Sequence, residues 1–140
     1  KIAEFPEWEK EICMYWERWE DMIGGAVEGM LDWICELKKA GYKVYGLSNW
    51  SAETFPLVKD KFPVFKMMDG IVISGEELIA KPDHRIYQIL LNRYNLQANE
   101  CVFVDDRQGN IDAAKELGIH GITFINCEQA KNAFYHIIKN

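Results

Sequence analysis

Residues 101–118 read CVFVDDRQGNIDAAKELG. Three apolar residues, Val102, Phe103 and Val104, run directly into two acids, Asp105 and Asp106, and from Gly109 to Leu117 the spacing turns helical until Gly118 stops it. A short apolar run bounded by polar residues reads as a strand buried on both faces, and a strand that feeds straight into a helix is the repeating unit of a parallel sheet, whose neighbouring strands need a crossover. The same figure recurs on either side. Residues 44–47 form an apolar run ending at Ser48, residues 70–73 another, and residues 122–125 a last one. Between them the spacing predicts helices over 27–39, closed by Gly41, from Ser51 toward Phe62, over 82–94 with Pro82 in the first turn, and over 128–138 with Ala130, Phe134, Ile137 and Ile138 buried. Strands alternating with helices give an α/β, Rossmann-like parallel sheet with helices on both faces.

The chain has 140 residues, 49% apolar and 27% charged, with 16 basic and 22 acidic side chains for a formal net charge of −6. A domain of this size buries roughly two-thirds of its unfolded surface, so no disulfide staple is required. The acidic balance, with lysines and arginines scattered, offers no footprint for a phosphate backbone, and nucleic acid is not an expected partner. Apolar runs of a few residues predict no membrane span, and the charged residues 1–10 do not suit a signal peptide. Cys13, Cys35, Cys101 and Cys127 are widely spaced, with no CxxC pair, and read as reduced, mostly buried thiols of a cytoplasmic protein. Trp8, Ile12, Tyr15, Trp16, Trp19 and Ile23 step by three and four, one stripe of a helix, before Gly24 and Gly25. That glycine pair is the only plausible boundary: residues 1–25 form a helical segment and residues 26–140 the α/β body.

In open parallel sheets the ligand site lies beyond the carboxyl ends of the strands. Ser48-Asn49 puts a hydroxyl and an amide at one strand-to-helix turn, although the same pair also suits an ordinary helix cap. Asp105-Asp106, with Asn110 one turn on, puts two mutually repelling carboxylates at another. A hard cation resolves that repulsion, and Mg²⁺, which takes few carboxylates plus waters and phosphate oxygens, fits; capping of the helix near Gly109 is the plainer alternative. Lys81, in Ala80-Lys81-Pro82-Asp83, lies in the connection after the second strand, where a short loop can bring its ammonium to the same rim.

Gly46-Leu47-Ser48-Asn49, Lys81-Pro82-Asp83 and Val104-Asp105-Asp106 with Asn110 resemble, in order and spacing, the second, third and fourth motifs of the haloacid dehalogenase superfamily. The similarity runs over essentially the whole chain and is greatest to phosphatase-type members with a small helical cap inserted early. The resemblance implies that Ser48 donates to a substrate phosphoryl oxygen with Asn49 beside it, and that Lys81 neutralises nucleophile and phosphoryl group. It further implies that Asp105 and Asp106 hold Mg²⁺, Asp106 more directly, and that Asn110 braces the loop. The implied reaction is hydrolysis of a small phosphorylated metabolite through an aspartyl phosphate.

The family's first motif, an apolar strand ending in Asp-x-Asp-Gly with the nucleophile and the general acid/base, has no counterpart in the sequence. Asp69-Gly70 precedes its strand and belongs to the opposite rim, and Asp21, Asp32 and Asp60 fall in helical stretches. In the family that strand is central, between those of Ser48 and Asp105, so the chain is expected to be a partial one, inactive alone, whose missing N-terminal segment is a partner, and to show no direct pairing of those two strands. Three other readings compete. A metal-independent 2-haloacid dehalogenase shares Leu47-Ser48-Asn49 but replaces the acid pair with neutral groups. A signalling receiver domain carries its acids first. A non-catalytic interaction module would use the Trp8, Tyr15, Trp16, Trp19 stripe, which otherwise packs as a cap helix; Tyr15, Trp16, Trp19 and Trp50 are the candidates to contact a leaving group.

Overall fold

The computed structural model describes residue 25 and residues 27–139. The aromatic stripe, Cys13 and nearly all of the 1–25 segment lie outside the described residues. In chain order the elements are α1 (Met30–Lys39), β1 (Tyr45–Ser48), α2 (Phe55–Lys59), α3 (Pro63–Met67), β2 (Gly70–Ile73), α4 (Ser74–Glu77), α5 (His84–Arg93), a 3₁₀ turn (Ala98–Glu100), β3 (Val102–Asp105), α6 (Gln108–Glu116), β4 (His120–Thr123) and α7 (Cys127–Ile138).

The helix ends follow from local chemistry. At the end of α1, Gly41 takes φ +91°, its N–H donates to Lys38 O and that of Tyr42 donates to Leu37 O, so two orphan carbonyls are satisfied by one left-handed residue. Gly118 closes α6 in the same way, through Lys115 O and Ala114 O. Some boundaries differ from the sequence reading. The helix expected from Ser51 divides into α2 and α3, each with a proline, Pro56 and Pro63, in its first turn. Helix α5 begins after Asp83, whose carboxylate accepts from the Arg85 N–H at 2.9 Å, so Pro82 lies before the helix. The last strand runs over His120–Thr123, two residues earlier than its apolar residues suggest. Its register is set by β3, and the Gln129 side chain takes the Ile125 N–H and the Thr123 carbonyl, ending the ladder and leaving Ile125 exposed. Ile138 is likewise exposed, not buried.

The strands form two parallel pairs, β1 with β2 and β3 with β4, in registers Tyr45↔Gly70 to Ser48↔Ile73 and Val102↔His120 to Asp105↔Thr123. Among the described residues β1 and β3 do not pair with one another. Strand β1, expected to be buried on both faces, is only half-buried along its length, having one strand neighbour among the described residues. Alternation divides the apolar side chains between two faces. Leu47, Val72 and Phe103 meet Ile86, Tyr87, Ala113 and Ala114 from α5 and α6 on one, while Val102, Val104 and Ile122 meet Trp33, Ala130 and Phe134 from α1 and α7 on the other. Helices therefore cover both faces of a mixed α/β fold. Parallel pairing on this plan brings the ends of β1 and β3, Ser48 and Asp105, to one rim.

Candidate active site

Lys81 joins the two strand pairs. Its ammonium donates to Leu47 O of β1 at 2.8 Å and to Asp105 Oδ2 of β3 at 2.7 Å, and lies 5.4 Å from the centroid of the Phe103 ring. The side chains of Lys81 and Asp105 are only 9% and 7% exposed, so each charge depends on the other. The Lys81–Pro82 peptide is cis. The Lys81 backbone is gripped by Asn49, whose amide oxygen accepts from Lys81 N at 2.8 Å while its amide nitrogen donates to Lys81 O at 3.0 Å. Asn49, anticipated as a substrate contact, thus has both ends of its amide on the protein.

Asp105 is held from three sides. Its other oxygen, Oδ1, accepts from the Arg107 N–H at 2.9 Å and from Asn110 Nδ2 at 2.9 Å. Burial alone pushes this carboxyl up, and Lys81, Arg107 N–H and Asn110 together outweigh it, so it lies below the ordinary carboxylate range and stays ionised. Asn110, itself buried, passes its carbonyl to the Tyr87 hydroxyl at 2.8 Å. Tyr87 is fully buried, stands edge-on to Phe103, and is pushed up to about 12 by burial and by the Asp105 charge. Asp106, by contrast, is exposed. Helix α6 has Arg107 at its N-cap with no side-chain cap bond, so the acid pair does not act as its cap.

The structure therefore gathers Ser48, Asn49, Lys81, Asp105, Asp106 and Asn110 along one rim, the first of them at the end of β1 and the acids at the end of β3. Asp69 falls elsewhere, at the amino end of β2, in ion pairs with Lys38 and Lys43. Two supports went unread in the sequence. Tyr87 was hidden as one more large residue in an apolar helix, the hydroxyl being its only signal. Ser74 and Gly75 brace the chain after β1, through Trp50 N to Ser74 Oγ at 3.0 Å and Gly75 N to Trp50 O at 2.9 Å. A Cβ at Gly75 would lie 2.3 Å from Ala52 N, so only glycine permits that approach.

The donor set is hard oxygen, of the kind Mg²⁺ takes. No three His, Cys, Asp or Glu side chains among the described residues gather to hold an ion, and the two acids of the rim are Asp105 and Asp106. Cys35, Cys101 and Cys127 are free and half-buried, less buried than anticipated. No helix among the described residues is long and apolar enough to cross a membrane.

Comparison with known proteins gives the family. A family model for haloacid dehalogenase-like hydrolases matches residues 5–118, and the chain belongs to that family. It is 33% identical over 93 residues to the sesquiterpene phosphatase astK of Aspergillus oryzae, covering 66% of this chain and 47% of that protein. It is 30% identical over 87 residues to (S)-2-haloacid dehalogenase 4A of Burkholderia cepacia, covering 62% and 38% respectively. Among solved structures, a family enzyme of Bacteroides thetaiotaomicron in complex with magnesium and inorganic phosphate superposes with TM-score 0.66 at 29% identity, over 74% of this chain and 55% of that one. A predicted family hydrolase from Porphyromonas gingivalis shares the fold with TM-score 0.71 at 21% identity, over 84% and 60%. The chain spans about half the length, or less, of these curated relatives.

Proposed function

We propose that this chain is part of a Mg²⁺-dependent phosphatase acting on a small phosphorylated metabolite through an aspartyl phosphate. The observation that carries the reading is the Lys81 ammonium held between Leu47 O and Asp105 Oδ2, with Asp106 exposed alongside. The nucleophilic aspartate would arrive on a further strand lying between β1 and β3, the place where these strands lack a common neighbour among the described residues; the 140-residue chain alone would then be inactive.

On this reading Ser48 donates to a phosphoryl oxygen at the end of β1. Lys81, fixed by Asn49 and Asp105, offsets negative charge on nucleophile and phosphoryl group as the bond forms. Asp106 supplies the direct metal contact with Asp105 beside it, while Asp105 also aims Lys81 and Asn110. When bound, Mg²⁺ would polarise the phosphoryl group and screen the carboxylates. The free thiols suit a cytoplasmic, reducing setting.

The dehalogenase reading draws on the Burkholderia relative, but a halide displacement has no use for an exposed carboxylate beside a buried one. In the full-length protein, Asp106→Ala should abolish Mg²⁺-dependent hydrolysis of a generic phosphate monoester, and a chelator should do the same to the wild type. Wild-type rates in the variant, or chelator-resistant halide release from a 2-haloacid, would overturn the assignment.

A further inference from the structure

Beside Asn49, at the carboxyl ends of β1 and β2, lies a hollow of about 410 Å³. Gly75, in tight backbone contact with the chain at Trp50 and Ala52, is among the residues that line it. Its walls are mostly hydrocarbon: Trp50, Leu78, Ile79 and Ala80. The one polar group of the Trp50 ring is already taken, since Nε1 donates to Thr54 Oγ1 at 2.9 Å, and the ring stands edge-on to Phe55. What the indole can offer a ligand is its carbon surface.

Leu78 makes the hollow unusual. Its backbone is left-handed, φ +57°, where any side chain with a Cβ is penalised and glycine is the easy occupant, and it is 91% exposed. A leucine there gains nothing from the core that would offset its conformation. Two residues on, the chain reaches Ala80 and then Lys81, whose backbone Asn49 clamps; both Asn49 and Ala80 also bound the hollow. The apolar walls are thus continuous with the rim that would receive the phosphoryl group.

We propose that this hollow receives the hydrocarbon portion of the leaving group, that Leu78 is a specificity-determining residue, and that the substrate class is phosphate monoesters of aliphatic alcohols. The inference rests on the phosphatase reading and adds the chemistry of the alcohol to it. An open hollow whose surface is mostly apolar, lying beside a polar rim, suits such ligands.

The test compares kcat/KM for n-octyl phosphate and methyl phosphate, with Mg²⁺, in the full-length protein and in Leu78→Gly and Leu78→Asn, both of which accept a left-handed backbone. The octyl-to-methyl ratio should favour octyl phosphate in the wild type and fall about tenfold in each variant, chiefly through KM. Equal turnover of the two esters by the wild type, or a ratio unchanged by substitution while the Tm of Leu78→Gly rises, would overturn the inference and leave the phosphatase reading intact. Hydrolysis of neither ester by the full-length protein would overturn both.

Discussion

Asn49 holds the backbone of Lys81 at both its N–H and its carbonyl, across an interval of 32 residues, so that one amide side chain sets where the Lys81 ammonium begins its reach toward Asp105. Lys81 is thereby positioned by the residue that follows β1, and its ammonium in turn links the two strand pairs.

Asn49→Ala should cost about 1 kcal/mol of stability, as expected for partly solvated neutral hydrogen bonds, but lower kcat by as much as about 100-fold, since displacement of a positioned group by about 1 Å has that effect. Urea unfolding of the full-length protein gives the first number and its steady-state kinetics the second. Asn49→Asp, which keeps the acceptor for Lys81 N, should lie between the two. A rate loss carried by KM alone would contradict the positioning role.

Lys81→Met leaves Asp105 charged and enclosed, and breaking one side of such a pair costs about 3–5 kcal/mol. The Asp105 carboxyl, now below its ordinary range, should move up as burial loses its main opponent, which carboxyl NMR titration would detect. The sign follows for acid stability. A depressed carboxyl contributes stability above the unfolded value and loses it as pH falls through the folded one, so in Lys81→Met, whose carboxyl has moved up, this acid-side loss should shrink and the stability gap to the wild type should narrow as the pH falls through the carboxylate range. Adding Asp105→Asn should recover a large part of the stability. A double variant no more stable than the single would show that the ion pair is not what the fold requires.

Tyr87 governs the alkaline side. With its hydroxyl raised from the usual 10.0 to about 12, the unfolded chain releases this proton first, so stability present below pH 10 is lost as the pH rises toward 12. Tyr87→Phe should remove that share of the alkaline loss while costing about 1 kcal/mol at neutral pH for the missing bond to Asn110 O. Urea midpoints at pH 7 and pH 11 for both proteins make the comparison, and parallel pH dependences would contradict the role.

The elements legible in the sequence were those whose signal is local. The apolar runs of β1, β2 and β3, the positive-φ glycines at Gly41 and Gly118, and the helical spacing of α1, α5, α6 and α7 need only neighbouring residues to be understood. The misplaced boundaries were those decided at a distance. Strand β4 takes its register from β3 and its end from Gln129, and neither constraint is visible in the apolar pattern of residues 122–125.

The same division runs through the site. Sequence alone determined which residue types stand at the strand ends, because a hydroxyl, a lysine and an acid pair after buried strands are chemistry that burial does not demand. Which carboxylate is open and which is enclosed, whether Asn49 faces a ligand or the protein, and that a strained leucine borders the rim were decided only by tertiary structure. Two adjacent aspartates are alike until folding brings Lys81, Arg107 N–H and Asn110 to one of them and leaves the other in water. Solvation and hydrogen bonding are properties of place, and place is settled by packing between residues far apart in the chain.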